Sequence, residues 1–445
     1  MEVVMKHKSY LLVFASLMVI FMGCTKEELF TEPESDAALK SADSKIRIAV
    51  VSDIHYMNHS LLPAVPEENA AYQQLLFTAY NKMVELSEPI FLQAVEEMKR
   101  EKPDVLLVPG DLAFNGELVN HLVVKEKLQE LADLGIRVLV IPGNNDINSP
   151  DAMSFEGTGS APAASISAEE FASVYGNFGY EDALYRDDHS LSYVFEIRDD
   201  LWIMGIDCCI YSPVSKRSGE IKMATMQWIQ EVMGDAAENG ITVFAMMHHG
   251  ISENYAGQNA LIKGDVINNY PWVSASLMEA GLKLIFTGHS HATDIVEVRA
   301  DGKIIYDIET GSLITPSSPY RIITLSDNFL KVSTKRITHI DASWLGGKSF
   351  MNWSEDYLTQ HLDLFFDWYL KNVFKLPSDM AEASMPCLRN SMMAQFAGDE
   401  KLLPPENRKI EELTELFPGN PVVPIIRSFW IDLPPNDGEM QIKLK

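Results

Sequence analysis

Five short stretches, far apart along the chain, carry the residue types that bind metal ions and support hydrolysis. They are Asp53-Ile54-His55, Gly110-Asp111, Gly143-Asn144-Asn145-Asp146, His248-His249 and Gly288-His289-Ser290-His291. Taken singly, an Asp-x-His or a His-x-His is a common accident of sequence. Their joint placement carries more weight, because each follows an apolar, strand-like run and open α/β sheets put their ligand sites just beyond the carboxyl ends of strands. Together they supply nitrogen and oxygen donors for a centre of two metal ions. Alternation along an extended segment would send both side chains of Asp53-x-His55, and both of His289-x-His291, to the same side. Imidazole mixed with carboxylate suits manganese, iron or zinc better than calcium or magnesium, so the cofactors expected are two divalent or trivalent transition-metal ions. A carboxylate such as Asp111 can bridge two cations roughly 3.5–4 Å apart. Such a pair lowers the pKa of a shared water and clamps phosphoryl oxygens during in-line displacement.

The elements that must position these residues read as alternating strands and helices. Apolar runs at 46–51, 105–108 and 138–141 are separated by helical spacing around 90–99 and 117–134, which predicts strand, helix, strand, helix, strand in a largely parallel sheet. The stretch 56–87 is too long for a plain connection and is expected to cover the site or carry its own helix. Residues 153–167 read as a loop before a short helix near 169–175. A hairpin is expected over 191–197 and 201–206, a helix over 221–237, and strands at 241–247 and 282–286 that deliver His248 and Gly288. The runs at 295–298, 303–308, 321–325 and 330–334 read as a second sheet packed on the first. Beyond Asp341 the texture changes, and Leu358, Leu362, Phe366, Tyr369 and Val373 keep helical spacing up to Pro377, as a core-packing helix would.

Composition sets outer limits. With 445 residues and 47% hydrophobic composition the chain can bury one large domain and a smaller one. A formal net charge of −27 disfavours nucleic acid as a partner. The four cysteines, Cys24, Cys208, Cys209 and Cys387, form no CxxC pair and are too sparse for a disulfide scaffold. Lys6 and Lys8 precede an apolar run from Tyr10 to Met22 that ends at Gly23-Cys24, a pattern that resembles a bacterial lipoprotein signal in which cleavage leaves the cysteine as a lipidated N-terminus. An ordinary secretory signal or a membrane anchor is the alternative, and Phe21 departs from the usual aliphatic residue of the motif. Thr25-Lys26-Glu27-Glu28 resembles the acidic export tags of some surface lipoproteins of the Bacteroidetes. The localisation so implied is the cell envelope, lipid-anchored through Cys24, at the outer membrane, with surface exposure left open.

The order DxH, GD, GN, H, GHxH resembles the calcineurin-like metallophosphoesterase superfamily, over roughly Lys45 to Lys335. That resemblance implies an α/β fold, a two-sheet αββα sandwich, here followed by a smaller, mainly helical C-terminal region. The implied organisation is a signal peptide at 1–23, a flexible tether at 24–44, the phosphoesterase domain at 45–337 and an α-rich region at 338–445. It also implies that Asp53, His55 and His291 hold one metal, that Asn144, His248 and His289 hold the other, and that Asp111 bridges them. The implied activity is hydrolysis of a phosphomonoester or phosphodiester, a small phosphoester substrate, by attack of a metal-bound hydroxide. No protein partner can be deduced.

One position departs from the pattern. Most such enzymes have a histidine directly after the metal-binding asparagine, contacting the phosphate or protonating the leaving group; here the residue is Asn145. Asparagine can donate a hydrogen bond to a phosphate oxygen but is no acid near neutral pH. Another residue then supplies the proton, with His249 and His59 the nearest candidates in sequence, or the leaving group needs none. The third alternative is that the chain keeps its metals but is a catalytically impaired, phosphate-ligand-binding lipoprotein. A further alternative makes 341–445 an interaction module, distinguished by whether residues up to His339 fold alone.

Overall fold

The apolar runs ahead of the five blocks form the strands Ile46–Val50, Val105–Pro109, Arg137–Ile141, Thr242–Met247 and Leu284–Thr287 in this computed structural model, which describes residues 45–326, 329–342 and 345–443. The lipoprotein-like signal, Cys24 and the tether lie outside the described residues. Among the described residues no helix is long and apolar enough to cross a membrane.

Two sheets result. The first has six strands in the order Glu439–Lys443, Phe329–Arg336, Pro319–Leu325, Ile46–Val50, Val105–Pro109, Arg137–Ile141. The last three are mutually parallel, as helical crossovers dictate, and the rest pair antiparallel. The second has seven strands in the order Asp294–Ala300, Lys303–Glu309, Leu284–Thr287, Thr242–Met247, Leu201–Ile206, Tyr193–Arg198, Tyr185–Arg186.

Period-two alternation assigns the faces. In Thr242–Met247, Phe244 and Met246 enter the core shared with Ile48, Leu107 and Leu139 of the first sheet, while Val243, Ala245 and Met247 enter an outer cluster with Met226, Ile229, Val273 and Leu277. Those last four belong to the helices Met223–Glu238 and Tyr270–Glu279, which therefore cover the second sheet. Ile203, Leu284 and Phe286 likewise face inward, and Trp202, Met204 and Ile285 outward. On the first sheet's flank, the helix Ser87–Glu101 buries Ile90, Phe91, Ala94, Val95 and Met98 on one stripe and ends at Lys102 in a left-handed conformation. Each of these side chains larger than alanine contributes roughly 1.5–3 kcal/mol. The layers are helix, sheet, sheet, helix, the expected αββα sandwich.

Two expectations needed correction, and a third gained a strand. The strand runs after the last block do not form a second sheet of their own: Asp294–Ala300 and Lys303–Glu309 extend the seven-stranded sheet, whereas Pro319–Leu325 and Phe329–Arg336 cross to pair beside Ile46–Val50. Local pattern reveals a strand but not its neighbour. Residues 153–167 hold a small hairpin, Met153–Glu156 with Gly159–Pro162, rather than plain loop. The C-terminal stretch is helical, with Phe350–Asn372, Ser378–Ala397, Pro404–Leu416 and Val423–Phe429 packed around Leu362, Leu388 and Ile426. It ends, however, in the strand Glu439–Lys443, which pairs with Phe329–Arg336 and puts Ile442 into the main core.

Candidate metal centre

Every candidate ligand sits in the turn that leaves a strand at the crest of the sandwich. Asp53 and His55 follow Ile46–Val50, Asp111 follows Val105–Pro109, and Asn144 follows Arg137–Ile141. His248 follows Thr242–Met247, and His289 and His291 follow Leu284–Thr287. The expected extended alternation is absent: Asp53, His55, Asp111, His289 and His291 all have positive φ, between 43° and 76°. That left-handed conformation is costly for a side-chain-bearing residue and clusters at functional sites. Pairs of donors converge because the turns curl over the centre, not because the strands alternate. The glycines allow the turns to approach: a Cβ on Gly143 would lie 2.2 Å from Asp111 N, and one on Gly288 would lie 2.0 Å from Ser52 Oγ.

The donors fall into two buried groups. Asp53, His55 and His291 form one and Asp111, His248 and His289 the other, with ligand atoms within 4.8 Å of one another in each. Asn144 joins the second, its Oδ1 3.1 Å from His248 Nε2. Asp111 lies between them, with Oδ2 3.5 Å from His55 Nε2 and 3.5 Å from His248 Nε2.

Metal ions fit this donor set. His248 Nδ1 lies 2.8 Å from Pro109 O, His289 Nε2 2.8 Å from Gly264 O, and His55 Nδ1 3.4 Å from Phe114 O. A carbonyl only accepts, so each ring carries a proton on that atom, and in the neutral form the other nitrogen presents its lone pair to the centre. His55 Nε2 then faces His291 Nε2 at 3.1 Å, and His248 Nε2 faces His289 Nδ1 at 3.2 Å. Facing lone pairs at that range call for a cation between them. Asp53 Oδ1 is buried with no hydrogen-bond partner, 3.5 Å from His291 Nε2, whereas its Oδ2 accepts from Ser52 Oγ at 2.5 Å and His289 N at 3.0 Å.

The electrostatics agree. Burial pushes His55 down to about 3 and His289 and His291 well below the usual range, so these rings stay neutral. Burial alone would raise Asp111, but His248 and His55 beside it hold it well below the usual carboxylate range. Burial would lower His248, yet Asp111 and Asp53 prevail and bring it up to about 10. The carboxylates thus draw positive charge to this spot, as a proton on His248 or as a cation shared among its neighbours.

The two catalytic candidates fare differently. Asn145 lines the cavity, but its amide is engaged: its N donates to Asp111 Oδ1 at 2.8 Å and its Nδ2 to Asp111 Oδ2 at 2.9 Å. Asn145 orients the central carboxylate. His249 is turned away: it is buried and absent from the cavity wall, with Nε2 2.7 Å from Arg217 O, Nδ1 3.3 Å from Cys208 Sγ and its ring against His289. Both ring nitrogens are occupied, so His249 serves as packing for a neighbouring ring and not as a proton source for a substrate. His59 lies on a short helical turn paired with Glu88, also outside the cavity wall.

The cavity above the centre has a volume of about 760 Å³. Beyond the donor turns, its walls come from parts of the chain without motifs. Tyr80, Asn81 and Lys82 follow the helix Ala70–Thr78, Arg217 lies in the segment after Cys209, and Met392, Phe396 and Phe429 belong to the C-terminal helices. Asn81 Nδ2 and Thr315 Oγ1 stand 3.1 and 3.0 Å from His291 Nδ1 and fix that ring. Lys82 lies over the Phe114 ring, and burial lowers its pKa to about 8. Lys82 and Arg217 escape a sequence reading because a single cation in a polar stretch carries no periodic or spacing signal.

Comparison with known proteins adds a family match: the model described as calcineurin-like phosphoesterase matches residues 46–293. No curated protein matches the chain. Solved structures that it resembles include a dimetal phosphatase from Danio rerio, at 12% identity over 66% of this chain and 97% of that one, with a TM-score of 0.47. Another is a purple acid phosphatase from yellow lupin (Lupinus luteus) seeds, at 10% identity over 66% of this chain and 52% of that one, with a TM-score of 0.41.

Proposed function

Because the chain belongs to the calcineurin-like phosphoesterase family, we propose that it hydrolyses a small phosphomonoester or phosphodiester at a centre of two transition-metal ions. The observation that carries this reading is the position of Asp111 Oδ2, 3.5 Å from a histidine nitrogen of each donor group, where one carboxylate can serve two cations. In this reading Asp53, His55 and His291 hold one ion, Asn144, His248 and His289 the other, and Asp111 both. Manganese, iron or zinc bound there supplies Lewis acidity toward the phosphoryl oxygens and lowers the pKa of water.

The chain's own residues do the rest. Asn145 holds Asp111 in its bridging orientation through two hydrogen bonds. Carbonyls of Pro109 and Gly264 fix the tautomers of His248 and His289. Lys82 and Arg217, facing the cavity, bind the remaining phosphoryl charge, and Lys82 is the wall residue whose lowered pKa suits it to hand a proton to a departing alkoxide. The N-terminal pattern extends the proposal to location: acylated Cys24 tethers the enzyme to the cell envelope, at the outer membrane.

The test is a phosphoester panel run after chelation and reloading with each candidate metal, with metal content measured in parallel. Turnover at near two ions per chain supports the proposal; full loading with no turnover of any ester supports the binding-protein alternative that Asn145 motivates. For location, Cys24→Ala should release the protein from membranes or leave its precursor uncleaved.

A further inference from the structure

Just beyond His291, where the second sheet meets the C-terminal region, four carboxylates from three separate segments converge. Asp294 opens the strand Asp294–Ala300, Glu400 follows the helix Ser378–Ala397, and Asp432 and Asp437 lie in the run before Glu439–Lys443. Carboxylate oxygens of Asp294, Asp432 and Asp437 lie within 4.8 Å of one another. Glu400 is only 4% exposed, and both its carboxylate oxygens are buried without a hydrogen-bond partner. Its carboxyl faces that of Asp437, and two ionised carboxylates have no donor between them, so a proton or a cation must sit there.

Nearby cations offset only part of the charge: Arg321 favours the ionised form of Asp437, but one guanidinium faces four carboxylates. Arg321 is fully buried, but its guanidinium donates to the backbone carbonyls of Asp294, Glu309 and Asp437 and to the Thr334 hydroxyl, not to a carboxylate. Arg336 donates to Ala397 O and Asp399. Burial first and the charge of Asp437 second push Glu400 up to about 10 and Asp294 well above its usual range. Such a cluster must hold extra protons or a metal cation, because buried ionised carboxylates without counter-charge are not sustainable.

We propose that Asp294, Glu400, Asp432 and Asp437 form a binding site for a hard divalent cation, Ca²⁺, that clamps the C-terminal region to the segment carrying His291. The donor set is all oxygen, which selects calcium or magnesium over the transition metals of the histidine centre. Carboxylates gathered from three segments of irregular chain suit the flexible coordination of calcium better than the strict octahedron of magnesium. Exposed Asp432 gives the ion an entrance and room for water. The clamp acts where the two parts are already pressed together. Asp437 Oδ1 accepts from Ile295 N at 2.9 Å, Thr293 Oγ1 donates to Phe396 O at 3.1 Å, and a Cβ on Gly398 would lie 2.6 Å from Thr293 O. Phe396 lines the catalytic cavity, so the ion would hold that wall in place.

The experiment is Ca²⁺ equilibrium dialysis and thermal unfolding of the full chain after chelation, with Mg²⁺ as comparison. The expected result is one Ca²⁺ per chain and a Tm that climbs with Ca²⁺ by mass action, more than with Mg²⁺. Asp432→Asn, an exposed change that folding should tolerate, is expected to weaken affinity about tenfold, since ligand charge sets affinity in such sites. Glu400→Gln should abolish the response, and His291→Ala should preserve it, which separates this site from the phosphoester centre. No Ca²⁺ bound by the parent at millimolar concentration overturns the proposal. So does equal binding by parent and Asp432→Asn, or binding lost in His291→Ala and kept in Glu400→Gln.

Discussion

The histidine centre and the acidic cluster are close in sequence at His291 and Asp294, yet they manage buried charge in opposite ways. At the centre, imidazoles dilute two carboxylates, and backbone carbonyls pin ring protons outward. At the cluster, four carboxylates meet with no imidazole, and the neighbouring guanidinium is engaged with carbonyls. The first arrangement suits borderline transition metals and chemistry; the second suits a hard ion and adhesion. Buried acid thus has no single meaning. Its companions decide whether it reacts or holds.

The most severe break in this comparison removes the junction. A chain ending at Ile337 loses the strand Glu439–Lys443, the partner carbonyl of Asp437 for Arg321, and the Phe396 wall. It should fail to accumulate as folded protein, which expression and circular dichroism would reveal; a stable, active truncation would mean that the two regions are independent.

Next in size is Asp111→Asn, which leaves two cations without their shared charge. It should cut kcat by about 10²–10³-fold or more and lower occupancy of both metal positions by elemental analysis. Full occupancy would contradict a bridging role. The acidic cluster offers the contrast, since at saturating Ca²⁺ Asp432→Asn should leave kcat unchanged.

Lys82 sharpens the division of labour inside the cavity. Losing a charge-assisted contact, Lys82→Ala should reduce kcat/KM for aryl esters by about 10–100-fold. Lys82→Arg keeps the charge but cannot give up a proton. It should therefore spare aryl esters, whose phenolates leave unaided, while slowing alkyl esters by up to roughly 10²–10⁴-fold. Equal effects on both classes would assign Lys82 to binding alone.

The smallest effect is a pH slope. Folding raises Asp432 to about 6 and Glu400 to about 10, from unfolded values near 4. The folded state therefore binds more protons across that interval, and stability of the chelated protein should fall as pH rises from about 5 to 8. Saturating Ca²⁺ should flatten or reverse the slope in thermal melts, and Glu400→Gln should shrink it without calcium. An identical slope with and without calcium would separate the cluster from any cation.

Much of the fold was legible because its signals are local. The strands ahead of the five blocks and the helices Ser87–Glu101, Leu118–Asp133 and Met223–Glu238 announce themselves through periods of 2 and 3.6 residues, and the structure keeps them within a few residues. The reading went wrong where local pattern stops carrying information. The strands after His291 divide between two sheets, and the second histidine of His248-His249 packs on a ring while its neighbour faces the centre.

By itself the sequence determined the candidate ligand types, their order and the strands that end beside them, since side-chain chemistry and hydrophobic period are properties of short windows. Only the tertiary structure decided what surrounds them. Left-handed turns, not extended alternation, aim Asp53, His55, His289 and His291. Asn145 faces Asp111, and Lys82 and Arg217 reach the cavity from motif-free stretches. The acidic cluster was invisible for the same reason: Ile295 N and Asp437 Oδ1 are 142 positions apart, and only chain closure brings them to 2.9 Å. Contacts at that separation are set by the packing of whole layers, which no window of sequence contains.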